Sequence, residues 1–408
     1  MPPFEPATAR WRLPEAIITD DLPTHRRPRL IATGYATTLN AAFSGSSYYL
    51  AEAGMAAGQI EGCFTLQSPL RPDHRLNALG ALWKLGKLLR GQKKDGFKFA
   101  PAFHEHIWKK HAATLAGTDI INNIQMFGRS FWQQAAAFDL RAHFYIDGTL
   151  HEYFSAYADY DVVAGIDRAT MAAAIEQEKE DYSRARHIFA MSGRSARTLT
   201  SFYGIAPERV SVVSPGANLP ASLAGTQMAA QRQDDEFILG FVGLYPLRKG
   251  LDRLAAAVRI LRSRHLPVKL HVVGRCPDEI RTMDGVEYQG EIRKSTHMAE
   301  FIRAIGRVHL GCQLSRAELV GIAPLEFLWL GIPILATDVG GVPELVADGG
   351  GLLVSPHISA EELADVIAPL VVDRDRYALL RQQAGTRREW ARWSRTAGEI
   401  DAILATAS

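Results

Sequence analysis

Two carboxylates and a cationic turn are the residues of this chain best suited to chemistry. Glu318 follows Leu314-Ser315-Arg316-Ala317, and Glu326 stands eight positions later, between Leu325 and Phe327 on an apolar segment. A carboxylate in such surroundings needs a partner. Near a helix start it stays ionised and can accept two sugar hydroxyl bonds. Further on, Thr337-Asp338-Val339-Gly340-Gly341-Val342-Pro343-Glu344 reads as a Gly-rich turn. Its two glycines free backbone N–H groups, and proline suits a first helical turn. Upstream, Gly243-Leu244-Tyr245-Pro246-Leu247-Arg248-Lys249-Gly250 leads a strand through two cations into a helix. Helix-start donors with Arg248 and Lys249 could bind a diphosphate and stabilise it as a leaving group. Singly, each feature has a plain reading: a solvated Glu318, a cap-region Glu326, a surface Arg-Lys pair, an ordinary strand-to-helix turn. Together they fall on successive strand ends of one predicted domain, which favours an enzyme handling a nucleotide sugar.

The elements that must position these residues follow from hydrophobic pattern. Residues 29–34 predict a first buried strand ending on Gly34. The loop 43–47 leads to a helix over 48–57, with Ser46 or Ser47 as its cap and Gly45 allowing a ligand close to its start. Residues 119–124 and 142–146 predict strands with polar ends, as where ligands bind open α/β sheets. Helical pattern runs from about Arg168 to Tyr203, and 210–213 is a short strand. The second half alternates: strand 237–242, helix 251–265, strand 268–273, strand 286–288, a helix near 296–305, strand 308–310, the Glu326 helix, strand 332–335. Alternation implies a parallel sheet with helices on both faces. The charged tail 374–404 is helical, and Trp390 and Trp393 require a packing surface.

Composition sets the bounds. At 408 residues two domains are expected. A 47% hydrophobic and 22% charged chain is globular. With 46 Lys and Arg against 44 Asp and Glu, the net charge of +2 gives no general pull toward nucleic acid. Cys63, Cys276 and Cys312 lie far apart, suit a reducing cytoplasm and show no zinc spacing. The N-terminus lacks signal-peptide character, and the longest apolar run, 321–336, is interrupted by Pro324, Glu326 and Pro333.

Lys249-Gly250, Glu318 with seven residues to Glu326, and the Gly340-Gly341-Val342-Pro343-Glu344 turn resemble the retaining glycosyltransferases of family 4. The similarity is strong over 237–356 and weaker over 29–216. It implies the α/β GT-B fold: two Rossmann-like domains facing across a cleft, with a last helix crossing back to the first. Expected boundaries are a leader 1–28, an acceptor domain 29–216, a linker 217–236, a donor domain 237–385 and a crossing helix 386–408. The resemblance implies that Glu326 binds the donor ribose, Glu318 holds the sugar near its reacting carbon, and Lys249 with Arg248 neutralises the departing diphosphate. Gly45 would approach that diphosphate from the other domain. Gly243, Gly274, Arg316, Gly321, Ile322, Gly340 and Gly341 would complete the donor site, with the base read near Gly274 and residues 291–294. Leu244 stands where the family usually has arginine, Leu319 where it has glycine, and Asp147 where it has a histidine. Asp147 is either a base toward the acceptor or a structural turn.

The implied activity is metal-independent, retaining transfer from a UDP- or GDP-linked sugar to a glycan, lipid-linked or small-molecule hydroxyl, without a cofactor. The alternatives are another GT-B activity (epimerase or phosphorylase) and a non-catalytic nucleotide-sugar-binding subunit. Asp159-Tyr160-Asp161 and Asp373-Arg374-Asp375 match the short acidic string of metal-dependent transferases, but they read as surface pairs. Residues 71–110 carry ten Lys and Arg against three Asp and Glu. On a helix, Leu82, Leu85 and Leu89 would share a core-facing side, with Trp83, Lys87, Arg90 and Lys94 on another. Such a stripe suits an anionic membrane surface, which would place the protein in the cytoplasm on the membrane's inner face. The other reading is a solvated helix.

Overall fold

The computed structural model describes residues 16–18, 27–34, 45–65, 73–123, 126–223 and 236–406. The chain divides into two compact units, Met1–Ser214 with Thr396–Ser408, and Pro215–Arg395. Most of the expected linker lies outside the described residues. Its first part is packed: Trp393 Nε1 donates to Asn218 Oδ1 at 3.1 Å, and Ala217 N–H to Ala391 O at 2.8 Å.

The first unit is built on a seven-stranded sheet. Its strands are β1 (Ala16–Ile18), β2 (Arg29–Thr33), β3 (Gly62–Thr65), β4 (Asp119–Asn122), β5 (Arg141–Ile146), β6 (His187–Ala190) and β7 (Val210–Val212). They run in the order β1-β3-β2-β4-β5-β6-β7, all parallel except β1, which pairs antiparallel with β3. The second unit has β8 (Phe237–Gly243), β9 (Val268–Gly274), β10 (Val286–Tyr288), β11 (Leu310–Gln313), β12 (Ile334–Thr337) and β13 (Gly351–Val354). Their order is β10-β9-β8-β11-β12-β13, parallel throughout. Central strands such as Leu30-Ile31-Ala32 and Ile334-Leu335-Ala336 are fully buried, as a sheet covered on both faces demands.

Several expectations change. The helical run from Arg168 to Tyr203 is interrupted by β6. A helix ends at Arg184, Ala185 turns extended, and His187–Ala190 pairs with β5 before a second helix, Gly193–Ser201. Four buried residues without Gly or Pro punctuation look helical by pattern, and sheet pairing overrides that. The strand expected at 308–310 is β11, two residues later. Gly311 masked it, yet glycine is required because a Cβ there would stand 2.4 Å from Phe327 Cδ2. The strand expected at 332–335 begins at Ile334, since Pro333 has no N–H for the ladder.

Helix α1 (Ser46–Ala56) starts on Gly45, whose φ of 91° favours glycine, without a side-chain cap. Neither Ser46 nor Ser47 caps it. The Ser47 hydroxyl instead lies 2.9 Å from Thr33 Oγ1 and 3.2 Å from Asn123 Oδ1. Helix α2 (His74–Leu89) is rotated from expectation. Leu82, Leu85 and Leu89 are 66%, 51% and 79% exposed, whereas Lys87 is buried. The buried face is claimed by Lys87 Nζ, 2.8 Å from Asp167 Oδ2 and 2.6 Å from Thr170 Oγ1, and by Trp83 against Phe97.

Trp393 is buried, and Trp390 lies between the Arg387 and Arg395 guanidinium groups, 3.9 and 5.1 Å from its centroid. The helix Trp393–Thr406 then joins the first unit, where Thr396 Oγ1 donates to Ser214 O at 2.9 Å and Arg29 pairs with Asp401.

Helix α3 (Arg168–Arg184) carries two buried carboxylates that tie down the turns after β4 and β5. Asp181 accepts from the N–H of Phe127 at 2.7 Å and from Trp132 Nε1 at 2.6 Å. Glu178 accepts from Leu150 N–H at 2.9 Å, from Tyr182 at 2.8 Å and from Tyr203. Burial pushes Glu178 up to about 8 and Asp181 up to about 6, with the hydrogen bonds opposing. Both folded values exceed the unfolded ones. The stabilisation is therefore complete at acid pH and is lost as pH rises through those values. We expect the first unit to lose on the order of 1–3 kcal/mol between about pH 5.5 and 8. Glu178→Gln, which copies the protonated shape, should flatten that decline in chemical denaturation followed against pH. A decline unchanged in the variant would remove Glu178 as its cause.

Candidate active site

The second unit gathers its polar side chains at the carboxyl ends of β8, β11 and β12, the edge where open α/β sheets bind ligands. The turn after β8 folds on itself: Lys249 N–H donates to Tyr245 O at 2.9 Å and Leu251 N–H to Pro246 O at 2.9 Å. Gly250 then starts α4 (Leu251–Ser263) with φ of 75°, and a Cβ on it would come within 2.1 Å of Leu314 O. This contact pins the cationic turn to the segment after β11. The Lys249 stem crosses Gly243, where a Cβ would stand 2.6 Å from Lys249 Cδ.

Arg248 Nη1 donates to Ala317 O at 2.7 Å and to Glu318 Oε2 at 3.2 Å, and Lys249 Nζ lies 3.8 Å from the same oxygen. Burial pulls the Lys249 ammonium below the ordinary lysine value. Glu318 and Glu326 oppose that pull, while Arg248 and Lys294 add to it. Helix α5 (Lys294–Gly306) supplies Lys294. Helix α6 (Ala323–Trp329) supplies Glu326, which is 1% exposed and ion-paired with Lys294. Burial raises the Glu326 carboxyl, and the Lys294 charge, the hydrogen bond and Lys249 act against it.

The Gly-rich turn precedes α7 (Val342–Val346). Gly340 has φ of 57°, and a Cβ there would lie 2.1 Å from Glu318 O. Gly341 N–H donates to Leu319 O at 2.6 Å. Both glycines therefore press the turn against the backbone carrying Glu318. Thr337 Oγ1 adds a bond to Ser315 O at 2.7 Å.

Arg248, Lys249, Glu318 and Glu326 are thus brought together. Gly243, Gly340 and Gly341 line the same strand ends, and Gly321 and Ile322 join Glu318 to α6. Gly274 ends β9 beside Gly243 of β8, its N–H donating to Gly290 O at 2.8 Å. Arg316 behaves differently. Its guanidinium bonds Asp252 at 2.5 and 2.9 Å and Leu247 O, bracing the start of α4. Glu291 pairs with Arg275 at 2.9 Å on the surface, whereas Lys294, expected near the base, reaches Glu326. Gly45 and Asp147 belong to the first unit. Asp147 O accepts from Ser195 Oγ at 3.2 Å. Asp373 of the second acidic string caps a helix by accepting from Arg376 N–H at 2.9 Å.

Gln313 escaped the sequence reading. Its Nε2 lies 3.4 Å from Glu318 Oε2, and its buried Oε1 has no hydrogen-bond partner. A polar last residue on an otherwise apolar strand, five positions before Glu318, was the available signal. Among the described residues no three His, Cys, Asp or Glu side chains cluster as metal ligands. None of the described helices is long and apolar enough to cross a membrane.

Comparison with known proteins defines the class. The architecture matches Anabaena HepE in complex with UDP and glucose, with a TM-score of 0.60 at 16% identity, covering 93% of this chain and 100% of that one. It also matches WaaG, a glycosyltransferase involved in lipopolysaccharide biosynthesis, with a TM-score of 0.56 at 15% identity, covering 92% and 99%. The fold is GT-B. Residues 226–387 match the family described as glycosyl transferases group 1, and that segment belongs to it. A D-inositol 3-phosphate glycosyltransferase from Kribbella flavida is 28% identical over 250 residues, 57% of this chain and 59% of the relative. One from Nocardia farcinica is 31% identical over 238 residues, 54% and 52%. The chain thus spans between half and three-fifths of these relatives.

Gly340→Ala should destabilise the second unit by about 2–4 kcal/mol, combining left-handed strain with a backbone clash. Gly290→Ala, at φ of 79° with nothing near its Cβ position, should cost only about 1 kcal/mol. Urea unfolding of both variants separates packing from conformational strain. Equal losses would remove the contact with Glu318 O as the cause.

Proposed function

We propose that the chain is a retaining glycosyltransferase. It would move a sugar from a UDP- or GDP-linked donor to a hydroxyl of a glycan, lipid-linked or small-molecule acceptor. The observation that carries this reading is the convergence of two cations and two carboxylates on the strand-end edge of the second sheet. The nucleotide sugars bound by structural neighbours and the transfer named for the curated relatives support it.

Lys249 and Arg248 neutralise the departing diphosphate, lowering the barrier where negative charge grows. Glu318, held by Arg248, accepts a donor-sugar hydroxyl, and the free Gln313 Oε1 takes a second. Glu326 accepts the ribose hydroxyls. In the absence of donor Lys294 satisfies that carboxylate, so ribose binding must share or displace its ammonium. The glycine turns hold these groups, with Gly45 assigned to the diphosphate and Asp147 to the acceptor. No side chain of the cluster is placed as a covalent nucleophile, so the acceptor attacks on the face the diphosphate leaves. Leaving-group stabilisation rests on lysine and arginine, with no essential metal or cofactor. We place the reaction in the cytoplasm, beside the inner face of the membrane.

Glu326→Gln keeps the shape of the buried side chain and should lower kcat/KM for the donor about 10- to 100-fold, the worth of charge-assisted hydroxyl bonds. Its unfolding midpoint should stay close to that of the parent. Turnover should survive EDTA. Unchanged donor kinetics in the variant would remove Glu326 from the ribose site, and activity abolished by chelation and restored by a divalent cation would overturn the metal-independent reading.

A further inference from the structure

Helix α2 is turned inside out for a soluble helix. Leu82, Leu85, Leu88 and Leu89 are 66%, 51%, 65% and 79% exposed, while its one buried cation, Lys87, is locked to Asp167 and Thr170. Leu82, Leu85 and Leu89 stand at i, i+3 and i+7 and form one outward row, with Leu88 beside it. Ordinary burial would hide such a row. The inner face forbids that rotation, since Gly80 has its Cβ position 3.1 Å from the Phe97 ring and Trp83 packs on the same ring. The leucines are therefore held outward by interactions on the opposite side.

Charge identifies what covers them. Arg75, Lys84 and Arg90 on the helix and Lys93 and Lys94 just after it are exposed, with Asp95 the only acid between residues 74 and 98. A second copy of the chain seated on this face would bring the same cations together. A surface that accepts alkyl side chains while presenting negative charge resolves both features. We propose that α2 docks the protein on an anionic lipid bilayer, with the leucine row entering the headgroup–acyl boundary and the flanking cations meeting lipid phosphates. This docking is independent of the transfer reaction and is tested without it.

The full chain is sedimented with phosphatidylcholine vesicles with and without phosphatidylglycerol. Binding should require the anionic lipid and weaken steeply with salt. The triple variant Leu82→Gln, Leu85→Gln, Leu89→Gln removes only exposed apolar area and should lower vesicle affinity at least about tenfold. The triple variant Lys84→Gln, Arg90→Gln, Lys94→Gln should reduce binding on anionic vesicles to the level on neutral ones, and it keeps the test decisive if the leucine variant fails to fold. Absence of binding to anionic vesicles overturns the proposal, as does equal binding by parent and leucine variant. A dimer in light scattering that the leucine variant dissociates, without vesicle binding, assigns the face to a second copy instead.

Discussion

The candidate site depends on two backbone contacts that only glycine permits. At Gly250 and Gly340 a Cβ would fall 2.1 Å from a carbonyl oxygen, of Leu314 in one case and Glu318 in the other. Those carbonyls bracket the four residues between the end of β11 and the first carboxylate. The cationic turn closes on that segment from one side and the Gly-rich turn from the other. Carboxylate and ammonium groups must be held to a fraction of an ångström for electrostatic stabilisation to operate, and three short turns without internal ladders could not do so separately. Pressed against one another they form one object. The glycines often credited with exposing N–H groups to phosphate have, in Gly341, a donor already spent on Leu319 O.

Buried carboxylates find different kinds of partner in the two units. In the first, Glu178 and Asp181 face neutral donors alone, so desolvation prevails and both carboxyls are pushed upward. They serve as struts, and hydrogen bonds to a neutral or half-neutral carboxyl suffice. In the second, Glu326 is equally buried but faces an ammonium, and Glu318 faces two cations. Burial still raises the Glu326 carboxyl, but the Lys294 charge works against that rise, at the cost of needing a companion. A paired arrangement of this kind can exchange one partner for another. That suits a ligand site, whereas the Glu178 arrangement suits a fixed frame.

Much of this was legible in residue order. Alternating strand and helix, glycines at strand ends and an acid stranded among Leu325 and Phe327 carry enough information to place the sheet edge and its carboxylates. Three things were hidden for physical reasons. β6 lacks punctuation, so only pairing with β5 reveals it. β11 was displaced by Gly311, a residue poor for strands that is present because Phe327 lies against it. The rotation of α2 could not be read because its leucine periodicity fits a buried face. The decision is made by Lys87, whose partners Asp167 and Thr170 lie eighty positions away. The role of Lys294 was likewise invisible, because its contact with Glu326 joins two helices across thirty-two positions.

The departure at Leu244 leaves a cation four positions further along the same turn, at Arg248. The family pattern has arginine directly after the first glycine of the turn, and here that place holds an exposed leucine. The turn winds back through the Tyr245–Lys249 and Pro246–Leu251 hydrogen bonds, so its far end returns to the mouth of β8. Arg248 is delivered there, stacked 5.2 Å from the Tyr245 ring and bonded to both Ala317 O and Glu318. The half-buried Arg248 guanidinium lies beside Lys249, and the repulsion between them is offset by the Glu318 carboxylate that both approach. Cation, cation and acid are therefore mutually dependent, and removing Glu318 would leave Arg248 and Lys249 side by side without the carboxylate they share.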